Sequence, residues 1–218
     1  MANQHTEKRL FSSTPDQWNE WTWNILQKSY KKEDSVKYRR DNLNLSSVDW
    51  HNLEFEGYDL SGFSFRNSTM KDIIFTRCSL EDGNFRKSNL TRIHFFDCVL
   101  VGLDFTLSRL DDCEFNGSDL ILVNFNNTLI EDQCMDESSF ATCFFKHTQI
   151  DGLSMHFTGI LDCDLHQVSG LNTISKDSIS FLDVNTIANS RGRIPDILYD
   201  VCRVEKKYRK PLNSLFNQ

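Results

Sequence analysis

The stretch Cys113–Asn127, CEFNGSDLILVNFNN, divides into three blocks of five: CEFNG, SDLIL and VNFNN. Each block opens on a small or apolar residue, continues with a polar one, and carries Phe or Leu third. The large residues, Phe115, Leu120 and Phe125, are therefore five apart. Neither regular element has that period. Five residues of α-helix turn through about 500°, so the set would drift by roughly 140° per block and smear around the helix. On a strand, an odd spacing changes face at every step.

The rhythm reaches far beyond this stretch. Counting in fives from Leu45 to Leu165 gives 25 positions, all of them apolar, in a chain that is 39% hydrophobic overall. Phe85, Leu90, Phe105 and Leu110 belong to this set. A second column runs two residues before each centre and holds Ser68, Ile73, Cys78, Gly83, Ser88, Ile93, Cys98 and Leu103, then Ser108, Cys113, Ser118 and Val123. These are mostly small or apolar. Residues two apart on a strand share a face. Each block is then a very short strand with two inward residues, followed by a corner. Repeated corners coil the chain around its own core. One block buries nothing alone, whereas stacked blocks make a continuous interior.

The blocks SNLTR, SDLIL and CSLED follow the pattern A-[DN]-L-x-x, and over residues 43–169 the chain resembles the pentapeptide-repeat family. The resemblance implies an all-β solenoid, a right-handed quadrilateral β-helix with four blocks per turn. The sequence supports four sides on its own account. Every twentieth residue is alike: Phe55, Phe75, Phe95 and Phe115; Phe65, Phe85, Phe105, Phe125 and Phe145; Leu60, Leu80, Leu100 and Leu120. Phe on one pair of sides and Leu on the other fills a square section at interior density. Five of the seven cysteines, Cys78, Cys98, Cys113, Cys143 and Cys163, take the inward small position and read as buried thiols. An odd number with no CxxC pair does not make a disulfide framework.

The ends of a coil expose unpaired edges, which proteins cover. Residues 1–42 read as an N-terminal helical cap, 43–169 as the coil, and 170–218 as a C-terminal capping segment. Thr14, Pro15 and Gln17 predict the start of a helix with a capping box. Trp18, Trp21 and Ile25 form its apolar stripe, with Trp23, Leu26 and Tyr30 nearby. At the other end the rhythm stops at Gly170. The segment IPDILYDVCRVEKKYRK, residues 194–210, predicts a second helix with Pro195 in its first turn and a stripe of Ile197, Val201, Val204 and Tyr208. It reads as a cap on the last coil or as a homodimer contact. Arg203, Lys206, Lys207, Arg209 and Lys210 oppose close pairing of two copies.

Charge is segregated along the chain. Residues 43–168 hold 20 acidic and 8 basic side chains, while the two ends are mildly basic. An acidic rod is a poor ligand for nucleic acid, whose phosphates attract cations. Eight outward carboxylates, Asp111, Asp112, Glu114, Glu131, Asp132, Asp136, Glu137 and Asp151, are expected to form one acidic face. It serves either as a solvated surface or as a docking face for a basic groove. Here the resemblance implies a partner, since several pentapeptide-repeat proteins resemble a DNA duplex in size and charge and bind DNA gyrase or a related topoisomerase. The quinolone-resistance members carry loops that interrupt the coil, whereas the register here is unbroken. Val101, Ile121, Leu122, Ala141 and Leu161 should line an apolar outer side. Such a stripe marks either cover by a terminal segment or a protein-binding surface, as in a scaffold, immunity protein or secreted effector.

No phosphate-loop, dinucleotide, zinc-protease or serine-hydrolase motif is present. His147, Asp164 and His166 make the one constellation that resembles a metal site. A rod filled by its own side chains offers no concave pocket for catalysis. The expectation is therefore a non-enzymatic protein-binding module without a cofactor. No apolar signal core opens the chain and no 18-residue apolar run occurs, so a cytoplasmic location is expected and no membrane span. A secretion route without a signal peptide stays open.

Overall fold

The computed structural model describes residues 4–134, 136–165, 167–174, 180–183, 186, 189 and 190. Its organising feature is the corner. Every fifth residue from Ser47 to Asp162 has a positive φ: non-glycine residues lie between 47° and 62°, and Gly57, Gly62, Gly102, Gly117 and Gly152 near 70°. Four such corners close one turn of the coil. The paired strands that result are all parallel, and Trp50, Met70, Leu90, Leu110, Ile130 and Ile150 follow one another in register. The chain completes about six turns of an all-β solenoid.

The strands are β1 (Asp49–Glu56), β2 (Thr69–Thr76), β3 (Asn89–Phe96), β4 (Val99–Val101), β5 (Arg109–Asp111), β6 (Asp119–Ile121), β7 (Leu129–Cys134), β8 (Ser139–Ala141), β9 (Gln149–Ser154), β10 (Thr158–Leu161) and β11 (Ser180–Leu182). A six-stranded sheet runs β1-β2-β3-β5-β7-β9, and a five-stranded sheet on the opposite side runs β11-β10-β8-β6-β4. Phe85, Leu90, Phe105 and Leu110 are buried as the period requires.

Each position of the five-residue block has a physical duty. The Asn or Asp before the centre accepts a hydrogen bond from the amide two residues on, at the start of the corner. Asn44, Asp59, Asn84, Asp104 and Asn124 all do so at 2.9–3.1 Å. Short polar side chains that bond their own backbone favour turns over strands, which is why the pattern calls for them there. The inward small residue satisfies a carbonyl of the previous turn. Ser88, Ser108, Thr128 and Thr148 donate to the carbonyls of Phe65, Phe85, Phe105 and Phe125 at 2.6–2.8 Å. Cys78, Cys98 and Cys143 repeat that geometry with sulfur. The thiols thus act as small interior donors. Burial and a neighbouring sulfur push the Cys143 thiol up, away from ionisation.

Between the layers the phenylalanines stack. Centroids of Phe65, Phe85, Phe105, Phe125 and Phe145 are 4.8–5.4 Å apart, and so are those of Phe55, Phe75, Phe95 and Phe115. Phe63 and Leu103 are too large for the small column. Gly83 lies between them, and a methyl there would stand 2.9 Å from Leu103 Cδ2.

Three helices close the first turn: α1 (Gln4–Ser12), α2 (Pro15–Ser29) and α3 (Ser35–Asn42). The capping box forms as expected, with Thr14 and Gln17 bonding reciprocally. Trp18 is buried, lies against Phe63, and donates its indole N–H to Asp59 O at 2.7 Å. Trp23 and Tyr30 point outward instead of joining the stripe. Asn19 fills in for a missing strand. Its amide donates to Gly57 O at 2.8 Å and accepts from Asp59 N–H at 2.6 Å. Asn19→Ala leaves both backbone groups of this edge unpaired, and a loss of about 1–3 kcal/mol in urea-unfolding stability is expected. An unchanged midpoint would refute the edge-closing role.

At the other end, a 3₁₀ turn (Leu171–Thr173) follows Gly170, and Leu171 and Ile174 are buried against the last turn. The register then shifts. Ile160 pairs with Leu182, twenty-two residues on, where earlier turns take twenty. The expected helix at 194–210, and the homodimer contact assigned to it, lie outside the described residues. Among the described residues no helix is long and apolar enough to cross a membrane.

Candidate docking surfaces

Outward side chains on one rung repeat on the next, about 4.8 Å away. Asp111, Glu131 and Asp151 therefore form a carboxylate ladder in register. Arg109 serves the upper two, with Nη2 3.3 Å from Asp111 Oδ2 and 2.7 Å from Glu131 Oε2. Across the corner stand Asp112 and Asp132, both exposed. Beyond them Glu114 meets His94 Nδ1 at 2.9 Å. Asp136 turns to structural work: its Oδ1 accepts from His156 N–H at 2.7 Å and from Ser154 Oγ at 3.0 Å. Glu137 is exposed at the following corner. The eight acids thus spread over two adjoining sides and the corners that end them. Asp112, Asp132, Glu137 and Asp151 have no ion pair among the described residues.

A finer pattern escaped the reading of the rod as uniformly acidic. Residues 66–92 hold six basic and three acidic side chains, whereas residues 97–164 hold two and thirteen. The signal was present in the composition but was summed over the whole repeat. Three cations of the early turns, Arg77, Arg86 and Arg92, are held in ion pairs. Arg92 clamps Asp72 with two bonds of 2.5 and 3.0 Å, and the guanidinium holds that carboxyl below its usual range. Arg86 reaches Asp104 at 3.2 Å, and Arg77 pairs with Glu56.

The apolar side also assembles. Val101, Ile121, Ala141 and Leu161 pair in register on the five-stranded sheet. Ile121 is 37% exposed and Leu122, at the adjoining corner, 47%. Phe144 stands across that corner and is 48% exposed. It was missed because its neighbour Phe145 keeps the five-residue count. The two ladders are ten residues out of phase, Asp111 with Ile121 and Asp151 with Leu161. Ten residues are half a turn, so the acidic and apolar sides face opposite ways.

Among the described residues no group of three His, Cys, Asp or Glu could hold a metal ion. His166 of the expected His147–Asp164–His166 group lies outside them.

Residues 54–92 and 88–127 match the pentapeptide-repeat family in eight copies. No curated protein matches the chain. Among solved structures, QnrB1, a plasmid-mediated fluoroquinolone resistance protein, is similar at 20% identity and a TM-score of 0.43, over 64% of this chain and 77% of that one. HetL, a pentapeptide-repeat protein involved in heterocyst differentiation regulation in the cyanobacterium Nostoc, is similar at 14% identity and a TM-score of 0.28, over 62% and 81%. A pentapeptide-repeat protein of the Arabidopsis thaliana thylakoid lumen is similar at 16% identity and a TM-score of 0.31, over 44% and 68%. The five-residue corners, the twenty-residue register and the eight matched repeats agree: residues 54–127 are pentapeptide repeats.

Proposed function

We propose that the chain is a non-enzymatic, cytosolic protein-binding module whose acidic turns dock in a groove built for duplex DNA, the partner class being a topoisomerase such as DNA gyrase. One observation supports this reading above the rest. Residues 97–164 carry a net charge of −11. They span roughly 3.4 turns, or about 16 Å of rod. Duplex DNA carries one negative charge per about 1.7 Å, or about nine to ten over the same length. The rod therefore has the linear charge density of the ligand it would replace. Backbone ladders and the Arg109 bridge hold the carboxylates in place before binding, which limits the ordering cost of association.

The test is a supercoiling assay with purified gyrase, with and without a quinolone. Inhibition or drug protection at micromolar protein is expected, and neither effect at that concentration would sink the reading. Neutralising the four exposed, unbridged acids as Asp112→Asn, Asp132→Asn, Glu137→Gln and Asp151→Asn is expected to weaken binding about 10–100-fold at low salt. The variant should also show a flatter dependence on salt than the parent chain. Equal affinities would show that the acidic side is only a solvated surface.

A further inference from the structure

The side of the coil backed by Phe65, Phe85, Phe105, Phe125 and Phe145 carries neither the acidic nor the apolar ladder. Its outward column before each centre reads Asn44, Ser64, Asn84, Asp104, Asn124, Phe144 and Asp164, joined by isolated bridges. Phe144 breaks this column. Asn44, Asn84, Asp104 and Asn124 each accept from the amide two residues on, and a phenyl ring cannot. Lys146 N–H donates instead to Asn126 Oδ1 of the turn before, at 2.6 Å. The half-exposed ring thus neither makes its corner nor fills the core. It walls a cleft of about 370 Å³ that Asn126, Lys146, Asp164 and Gln167 also line, with Phe145 beneath. That volume falls in the lower part of the range for small-molecule sites.

The lining groups set the chemistry of a ligand. Phe144 offers a flat platform for stacking. Lys146, two residues along the same rung, is exposed and makes no ion pair among the described residues. Asn126 has its Oδ1 committed to Lys146 N–H, which leaves Nδ2 as a donor beside the ammonium group. These two call for an anion. Asp164 bridges to Phe144 one rung on, about 4.8 Å along the rod, and calls for donors. The local field admits an anion here. From Ser64 to His147, this side and its following corner carry Arg66, Arg86, Lys87 and Lys146 against Asp104, which Arg86 already pairs at 3.2 Å.

We propose that the cleft binds a guanine mononucleotide, with the base stacked on Phe144, its N1–H and N2–H edge on the Asp164 carboxylate, and the phosphate on Lys146 and Asn126 Nδ2. Guanine is the base that sets two parallel donors against the two oxygens of a carboxylate. Adenine and cytosine turn an acceptor to the same edge beside a single amine, so a carboxylate repels part of it. Stacking a base on an aromatic ring tolerates any base, and the Asp164 edge then selects among them. A nucleic-acid strand is a poorer occupant, because its further phosphates would run along the carboxylate-rich turns.

NMR titration of the full, isotope-labelled chain tests the site with GMP, AMP, guanosine and inorganic phosphate as probes. Saturable shifts of the amides of Asn126, Phe144, Phe145, Lys146 and Asp164 are expected below about 1 mM GMP. AMP should bind about tenfold more weakly. Phe144→Ala changes an exposed position and leaves the coil folded, and it should weaken GMP about tenfold. Asp164→Asn should bring GMP and AMP within about threefold of each other. Lys146→Gln should weaken GMP about fivefold and leave guanosine unchanged. No saturation by GMP at that concentration overturns the proposal, and so do equal affinities for GMP and AMP in the parent chain or a GMP affinity that Phe144→Ala does not change. Displacement of GMP by an equal concentration of inorganic phosphate would make the cleft a plain anion site. Tighter binding of a single-stranded oligonucleotide with one guanine would make it a strand site. Either result overturns the assignment. None of these outcomes depends on whether a topoisomerase binds the acidic turns.

Discussion

Phe105→Ala is expected to lower the stability of the coil by about 3–5 kcal/mol. The ring is fully buried, stacked 5.2 Å below Phe85 and 5.4 Å above Phe125, with the edge of Phe115 at 6.4 Å. Those neighbours belong to β-ladders fixed by hydrogen bonds on every rung, so they cannot collapse into the space. In a solenoid each turn contacts only the turns beside it. The cavity therefore also loosens the coupling between the two halves of the rod, and urea unfolding should broaden as well as shift. Phe105→Leu should lose no more than about 1.5 kcal/mol. Phe144→Ala, at an exposed site, should stay within about 0.5 kcal/mol. A Phe105→Ala chain as stable as the Phe144→Ala chain would mean that the ladder is not the core.

Gly170→Ala is expected to open the C-terminal end. The backbone there is left-handed at φ 79°, and an added Cβ would lie 1.7 Å from Ile150 O and 2.9 Å from Ile150 C. Both atoms belong to the backbone of β9, so nothing flexible can move aside. A loss above about 2 kcal/mol is expected. It should appear in hydrogen exchange as fast exchange of the amides from Leu171 to Ile174, and of Gly152, whose N–H bonds Thr173 Oγ1 at 3.0 Å. Gly57→Ala is the control. Its φ is 71°, but nothing lies within 4 Å of the added methyl. Only the left-handed penalty of about 1–2 kcal/mol applies there. Similar losses for the two variants would reduce the closing turn to a matter of backbone conformation alone.

The large, period-bound features were legible in the sequence because one physical demand recurs unchanged. A side chain at Phe85 or Leu110 must point inward whatever its neighbours do. The corners were less legible. Asp72, Arg77, Leu122 and Phe157 share one conformation without sharing any chemistry, since the coil's ladders impose it from both sides. The N-terminal closure was legible only in α2, which carries an apolar stripe and a capping box. Asn19 closes the edge with a polar amide that has no period to betray it. Helices α1 and α3 are short and present few buried residues. The shift to Leu182 is invisible to a count in fives, because it begins where the count ends. Of the docking surfaces, both ladders were legible as columns at twenty-residue spacing. The exposed Phe144, the bridging role of Arg109 and the structural role of Asp136 were not, because they depend on which way individual side chains turn.

The half-turn offset between carboxylates and aliphatics has an evolutionary corollary. Adding or deleting one block rotates everything downstream by a quarter turn, and two blocks would splice the greasy strip onto the charged one. Viable length change is thereby quantised in whole coils. Descendants of this chain can grow longer or shorter in steps of twenty residues while keeping both edges of the ruler aligned.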